Sequence, residues 1–175
     1  MNEDTLLPGN RNYSHKFRTM PIKHPHCGRF VTLITDAICY PLNIKYICQC
    51  VENFHQYFFN LPPDNDYIKW TVGKAMYMAD GTALKQKQAL DENGFYSDII
   101  SSSAVCTIIC DSIHFDEHER KFTYYGTQLI KRRTRDMKRS MVTTGFIENV
   151  PRTQNNPHGL MITGWRTIEN KDLDY

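Results

Sequence analysis

The apolar residues of this chain keep two different periods, and the change from one to the other falls within a few residues of Ala104. Upstream, Ile44, Ile47, Val51, Phe54, Phe58 and Leu61 recur at steps of three and four, which lays one apolar stripe along a helix. Pro62-Pro63 terminates that helix, and Asn43 is placed to cap it. A second helix is predicted from Asp64 or Asp66, burying Ile68, Val72, Ala75 and Ala79 and stopping at Asp80-Gly81. Thr82 is placed to cap a third, which runs to Asn93-Gly94, and 95–102 makes a short fourth carrying Tyr96, Ile99 and Ile100. Downstream, 104–115, 121–130, 139–150 and 160–169 are rich in Val, Ile, Thr, Tyr and Phe and are separated by polar turns, so they read as four strands of a meander. Helices first and consecutive strands second imply an α+β domain: a curved antiparallel sheet of about four strands, its inner face packed on the N-terminal helices and the longest helix lying across it.

With 175 residues, 41% of them hydrophobic and 12% aromatic, the chain has the material for one domain with a real core, which excludes a disordered protein. The first 42 residues differ. Pro8, Pro21, Pro25 and Pro41 interrupt any long helix, and no period is sustained. The expected organisation is a poorly ordered leader over 1–42 and a folded domain over 43–175. The best apolar run of the leader, 31–34, is cut short by Thr35 and Asp36, so the leader holds no signal peptide or transmembrane helix and the chain as written is expected to be soluble.

Between the last two predicted strands lies Asn156-Pro157-His158-Gly159. Asn at the first position, Pro at the second and Gly at the fourth specify a type I turn, because Pro pre-sets φ and Asn bonds the backbone ahead. The whole polar connection runs to about ten residues, longer than the usual 2–5 of a hairpin, and such loops tend to carry function. Lys131, Arg132, Arg133, Arg135, Lys138 and Arg139 crowd the turn between the second and third strands. The default reading is a solvated tip that keeps sheet edges unpaired; the other is a contact patch for acidic headgroups or DNA phosphates. The tip lacks interleaved aromatics for base stacking, so any direct DNA binding is expected to be weak and salt-sensitive. A formal net charge of +2 points to no nucleic-acid partner either.

Catalytic and metal chemistry find no foothold. Asp111 and His114 are three apart on one predicted strand, so alternation sends them to opposite faces. No Gly-rich phosphate loop, nucleophile elbow or His-Glu-x-x-His pair occurs. His55 lies off the apolar stripe of the first helix and reads as a surface or packing residue. His24-Pro25-His26-Cys27 has metal-ligand types but no Cys-x-x-Cys knuckle, and is read as solvated leader. Cys106 and Cys110 are separated by ~13 Å along a strand, beyond disulfide reach. Cys48 and Cys50 point to different faces of the first helix, with buried thiols the default; a bridge from Cys27 or Cys39 is conceivable only in an oxidising compartment. No catalytic residue, metal or cofactor is expected.

Several blocks carry a family likeness: Val51-Glu52-Asn53-Phe54-His55-Gln56-Tyr57-Phe58-Phe59, Ala75-Met76-Tyr77-Met78-Ala79-Asp80, Gly94-Phe95-Tyr96-Ser97-Asp98-Ile99-Ile100, Ser140-Met141-Val142-Thr143-Thr144, Asn155-Asn156-Pro157-His158-Gly159 and Glu169-Asn170-Lys171-Asp172-Leu173. In this order they resemble the TraK proteins of conjugative transposons. Those are similar in turn to the eighth VirB component, the inner-membrane assembly factor of type IV secretion systems. The resemblance implies a nuclear transport factor 2-like (cystatin-like) fold and a non-enzymatic scaffold on the periplasmic face of the inner membrane, in contact with other type IV secretion and conjugation proteins. It also implies homodimerisation, and a partner-contacting role for Asn156, Pro157 and Gly159 with His158 in the variable place. Family members carry a membrane anchor ahead of the domain, which residues 1–42 do not supply. The alternatives are a ligand-binding or enzymatic cone-shaped domain and a weak DNA-binding accessory protein of a mobile element.

Overall fold

The computed structural model describes residues 19–23, 30–34 and 44–173. Two strands, β1 (Thr19–Lys23) and β2 (Phe30–Ile34), pair antiparallel within a unit that ends at Cys39. No sequence period marks these two strands, because five residues are too short to establish one.

The second unit, from Tyr40, begins with α1 (Ile44–Phe59). Its buried residues are Ile47, Cys50, Val51, Phe54, His55, Phe58 and Phe59, a wider stripe than the aliphatic and aromatic positions alone define. Asn43, the expected cap, lies outside the described residues. Leu61, at the end of the predicted stripe, is buried just past the helix, where its N–H and C=O exchange bonds of 3.0 and 2.9 Å with Cys106. α2 (Asn65–Met76) starts as expected, with the Asp64 carboxylate accepting from Tyr67 N–H, and buries Ile68, Thr71, Val72 and Ala75. Ala79 is buried beyond it, where the chain bridges Ile162.

The cap of α3 (Gly81–Glu92) corrects the sequence reading: it is Asp80 and not Thr82. Asp80 takes the extended conformation a cap requires, and its carboxylate accepts from Thr82 N–H and from the Thr82 hydroxyl. The same pair holds the last strand, since Gly164 N–H donates to Asp80 (3.0 Å) and Trp165 N–H to the Thr82 hydroxyl (2.9 Å). Burial pushes the Asp80 carboxyl up, but the hydrogen bonds from Thr82 and Gly164 outweigh it and hold the group below the usual range. α4 (Phe95–Ser101) buries Tyr96 and Ile99 and leaves Ile100 exposed.

Four strands follow in a meander, β3 (Val105–Asp116), β4 (Lys121–Lys131), β5 (Met137–Asn149) and β6 (Leu160–Leu173), in the order β3-β4-β5-β6. One side of the sheet carries Ile108, Phe122, Tyr124, Met141, Ile147, Ile162 and Trp165, all buried with the α1 side chains in the main core. Complete burial of a residue such as Phe54 contributes about 1.5–3 kcal/mol. A second cluster joins Leu61, Ile68, Val72, Tyr96 and Ile99 to Ala104, Cys106 and Ile130. The Tyr124 ring lies over Gly126, where an added Cβ would stand 2.6 Å from Tyr124 Cε1, so only glycine admits the ring. Register shifts interrupt the β3–β4 ladder at Asp111 and the β5–β6 ladder at two places. Such bulges bend strands and increase twist, which curves the sheet.

Candidate partner-binding turn

The β5–β6 connection closes where Val150 N–H meets Gly159 O at 3.0 Å. Within it, Gly159 N–H donates to Asn156 O at 3.2 Å, the i to i+3 bond expected of a β-turn over Asn156–Gly159. Gly159 has φ +64°, and a Cβ there would stand 2.7 Å from Arg152 Cγ and 3.1 Å from Val150 O, so conformation and space both require glycine. Asn156 is only 4% exposed; its amide Nδ2 donates to Leu160 O (2.9 Å), and its backbone N–H is received by the Thr153 hydroxyl at 3.0 Å. The Asn is therefore an internal brace, and the residue turned outward is the exposed Pro157.

His158 occupies the place expected to be variable, yet it docks the turn on α1. Its ring sits 5.0 Å from that of Tyr46, whose hydroxyl donates to Pro157 O at 3.4 Å. Asn53 Oδ1 accepts from Gln49 (2.9 Å), which aims the Asn53 amide N–H at His158 Nε2, 3.3 Å away. Nε2 is thus an acceptor and the proton sits on Nδ1, which is buried without a partner among the described residues, as is Asn156 Oδ1. Burial, then the Arg152 charge, lowers the His158 pKa and keeps the ring neutral.

Basic residues fall into two groups. Lys131, Arg132, Arg133 and Arg135 are exposed around the β4–β5 turn, whereas Lys138 and Arg139 lie inside β5, a correction to the reading that placed all six at the turn. Strong β pairing carries the ladder to Met137, opposite Ile130, and Arg139 forms an ion pair with Asp172 across from it on β6.

His55 is a packing residue of an unexpected kind, fully buried and stacked on Tyr124 at 3.7 Å with rings 4° apart. Nδ1 donates to Val51 O (2.7 Å), so Nε2 accepts from the Thr143 hydroxyl (2.6 Å), and burial lowers its pKa to about 3. With Phe54 and Phe58 set 5.0 and 4.9 Å from Trp165, aromatic rings fill the space between α1 and the sheet. Asp111 and His114 are both exposed, correcting the opposite-face argument: Asp111 is the extra residue of the bulge, so the alternation slips by one before His114. They remain ~10 Å apart along the strand, and Asp111 accepts from Thr127 instead. Cys50 and Cys106 are buried free thiols, pushed up to about 12 and about 11 chiefly by burial, so both are protonated and inert. Among the described residues no group of three or more His, Cys, Asp or Glu is placed to hold a metal ion; His24, His26, Cys27 and Cys39 lie outside them.

No family model matches the chain, and no curated protein matches it in sequence. Solved structures do match. VirB8 of Agrobacterium tumefaciens superimposes with a TM-score of 0.63 at 10% identity, over 79% of this chain and 100% of that one. The soluble domain of TrwG of the type IV secretion machinery of Bartonella grahamii gives 0.60 at 16%, over 78% and 100%. An IcmL-like type IV secretion system protein of Legionella pneumophila gives 0.58 at 7%, over 77% and 96%. The fold is therefore the VirB8-like, nuclear transport factor 2-like α+β fold, four helices packed on an open four-stranded antiparallel sheet. Among the described residues no helix is long and apolar enough to cross a membrane.

Proposed function

We propose that the chain is a non-enzymatic structural component of a conjugative type IV secretion apparatus, of the TraK kind, and that it works on the periplasmic face of the inner membrane by presenting surfaces to other secretion proteins. The observation that carries this reading is the turn: Asn156 is buried as a brace, Gly159 is held at a φ that only glycine adopts freely, and Pro157 is left outside. A loop already rigid in its bound shape gives up little entropy on association, which suits a docking element. The aromatic filling behind α1 supports a scaffold over a cone-shaped ligand site. The test is co-purification of the tagged chain with the secretion machinery from donor cells, wild type beside Gly159→Val. Recovery of machinery proteins by wild type alone supports the reading; recovery by both variants removes the turn from the contact, and recovery by neither removes the scaffold role.

A further inference from the structure

The β4–β5 turn carries charge that a docking role for the β5–β6 turn leaves unused. Lys131, Arg132, Arg133 and Arg135 are exposed, and Asp136 is the one carboxylate among them. Arg132, Arg133 and Arg135 have no ion-pair partner among the described residues, while the acids on the adjoining strand are already matched, Asp172 by Arg139 and Glu169 by Lys171. The register also places aliphatic side chains beside the cations. Val105 stands opposite Lys131 and Leu173 opposite Lys138, exposed by 40% and 42%. The end of the sheet where β3 starts, β4 turns into β5 and β6 finishes thus displays cations with a bare aliphatic residue on either flank.

We propose that this end of the sheet docks on the anionic headgroup surface of a lipid bilayer, with Arg132, Arg133 and Arg135 against phosphates and Val105 and Leu173 entering the interfacial layer. Two features favour a bilayer over a nucleic acid. The turn offers no ring for base stacking, since Tyr124 is buried in the core and Tyr125 lies ~20 Å back along β4. Aliphatic groups flanking a cationic row gain by leaving water at an interface and gain nothing beside a phosphodiester backbone. Each cation near an anionic leaflet raises affinity roughly five-fold, so three raise it on the order of a hundred-fold, and the effect decays within a Debye length. The proposal is independent of which secretion proteins the domain meets.

The test is sedimentation of the full chain with vesicles of phosphatidylcholine alone or mixed with phosphatidylglycerol, beside fluorescence anisotropy with single- and double-stranded oligonucleotides. Binding is expected only to the phosphatidylglycerol vesicles and is weakened by salt. The triple variant Arg132→Gln, Arg133→Gln, Arg135→Gln lowers it about a hundred-fold. Lys69→Gln, Lys85→Gln, Arg166→Gln, which removes equal charge from other exposed sites, lowers it far less. Val105→Ser with Leu173→Ser lowers vesicle binding several-fold. Absence of binding to anionic vesicles, equal losses in the two triple variants, or tighter binding to an oligonucleotide than to vesicles overturns the proposal, the last in favour of a nucleic-acid contact.

Discussion

The β5–β6 and β4–β5 connections join neighbouring strands of one sheet, yet only the first folds back on the body of the domain. Its shape is fixed by a buried amide, a positive-φ glycine and a histidine seated on α1. The second has exposed side chains throughout residues 131–136 and is distinguished by charge. One loop therefore stores its information in geometry and the other in electrostatics. The difference teaches what kind of substitution each will feel: steric changes should matter in the first and charge changes in the second.

The largest expected effect lies in the platform under the shaped loop. Phe54→Ala, which empties a fully buried site between His55 and Trp165, should cost roughly 3–5 kcal/mol. A urea or thermal midpoint equal to wild type would remove α1 as the support that separates the two loops.

Acid should come next. His55 is neutral in the fold, with a pKa lowered to about 3, while its unfolded value is 6.5. Below pH 6.5 the unfolded chain takes up a proton that the native core refuses, so stability is fully present above that pH and falls as pH drops, by at most about 1.4 kcal/mol per unit. His158, also lowered, acts in the same direction. Equilibrium unfolding between about pH 7 and 5 should show this slope, and His55→Gln should flatten it whatever its absolute stability. An unchanged slope in that variant would place the proton uptake elsewhere.

Within the loops, Gly159→Val forces a branched side chain into a left-handed conformation against Arg152 and should cost about 1–3 kcal/mol. Thr134→Val, at the exposed tip of the other loop, should stay within about 0.5 kcal/mol. Similar costs at the two positions, measured by chemical denaturation, would erase the distinction. The smallest effect on stability is expected from Arg133→Gln, again within about 0.5 kcal/mol, although its effect on anionic vesicle binding should be several-fold.

What the sequence disclosed follows from how local each cause is. The period change near Ala104 announced helices and sheet, since each apolar stripe is written within one element. Asn156-Pro157-His158-Gly159 specified its own turn for the same reason. The docking of His158 depends on Asn53, 105 positions away, and no local pattern records it. His55 lies off the aliphatic and aromatic stripe, which leaves surface and packing roles equally open; its burial depends on Thr143 and Tyr124, contributed by the sheet. Thr82 is a capping residue type and Asp80 reads locally as the end of the preceding helix; that Asp80 is the cap of α3 is tied to Gly164 on β6. The bulge at Asp111 leaves only a faint mark: the core-facing positions step from Ile108 and Cys110 to Ile113 and Phe115, but the exposed apolar Val105 and Ile109 blur the alternation that would reveal the slip.

That bulge bears on how the molecule behaves in a crowd. β3 is an outer strand, and its first residues are occupied by Leu61 and by Asn60, whose amide oxygen receives Ile108 N–H at 2.8 Å. Directly beyond, the extra residue breaks the regular β3–β4 register and leaves Asp111 exposed, its carboxylate held by the Thr127 hydroxyl of β4. A bulge and a charge on an outer strand both disfavour pairing with another chain, which makes this edge of the open sheet a poor template for strand-to-strand polymerisation.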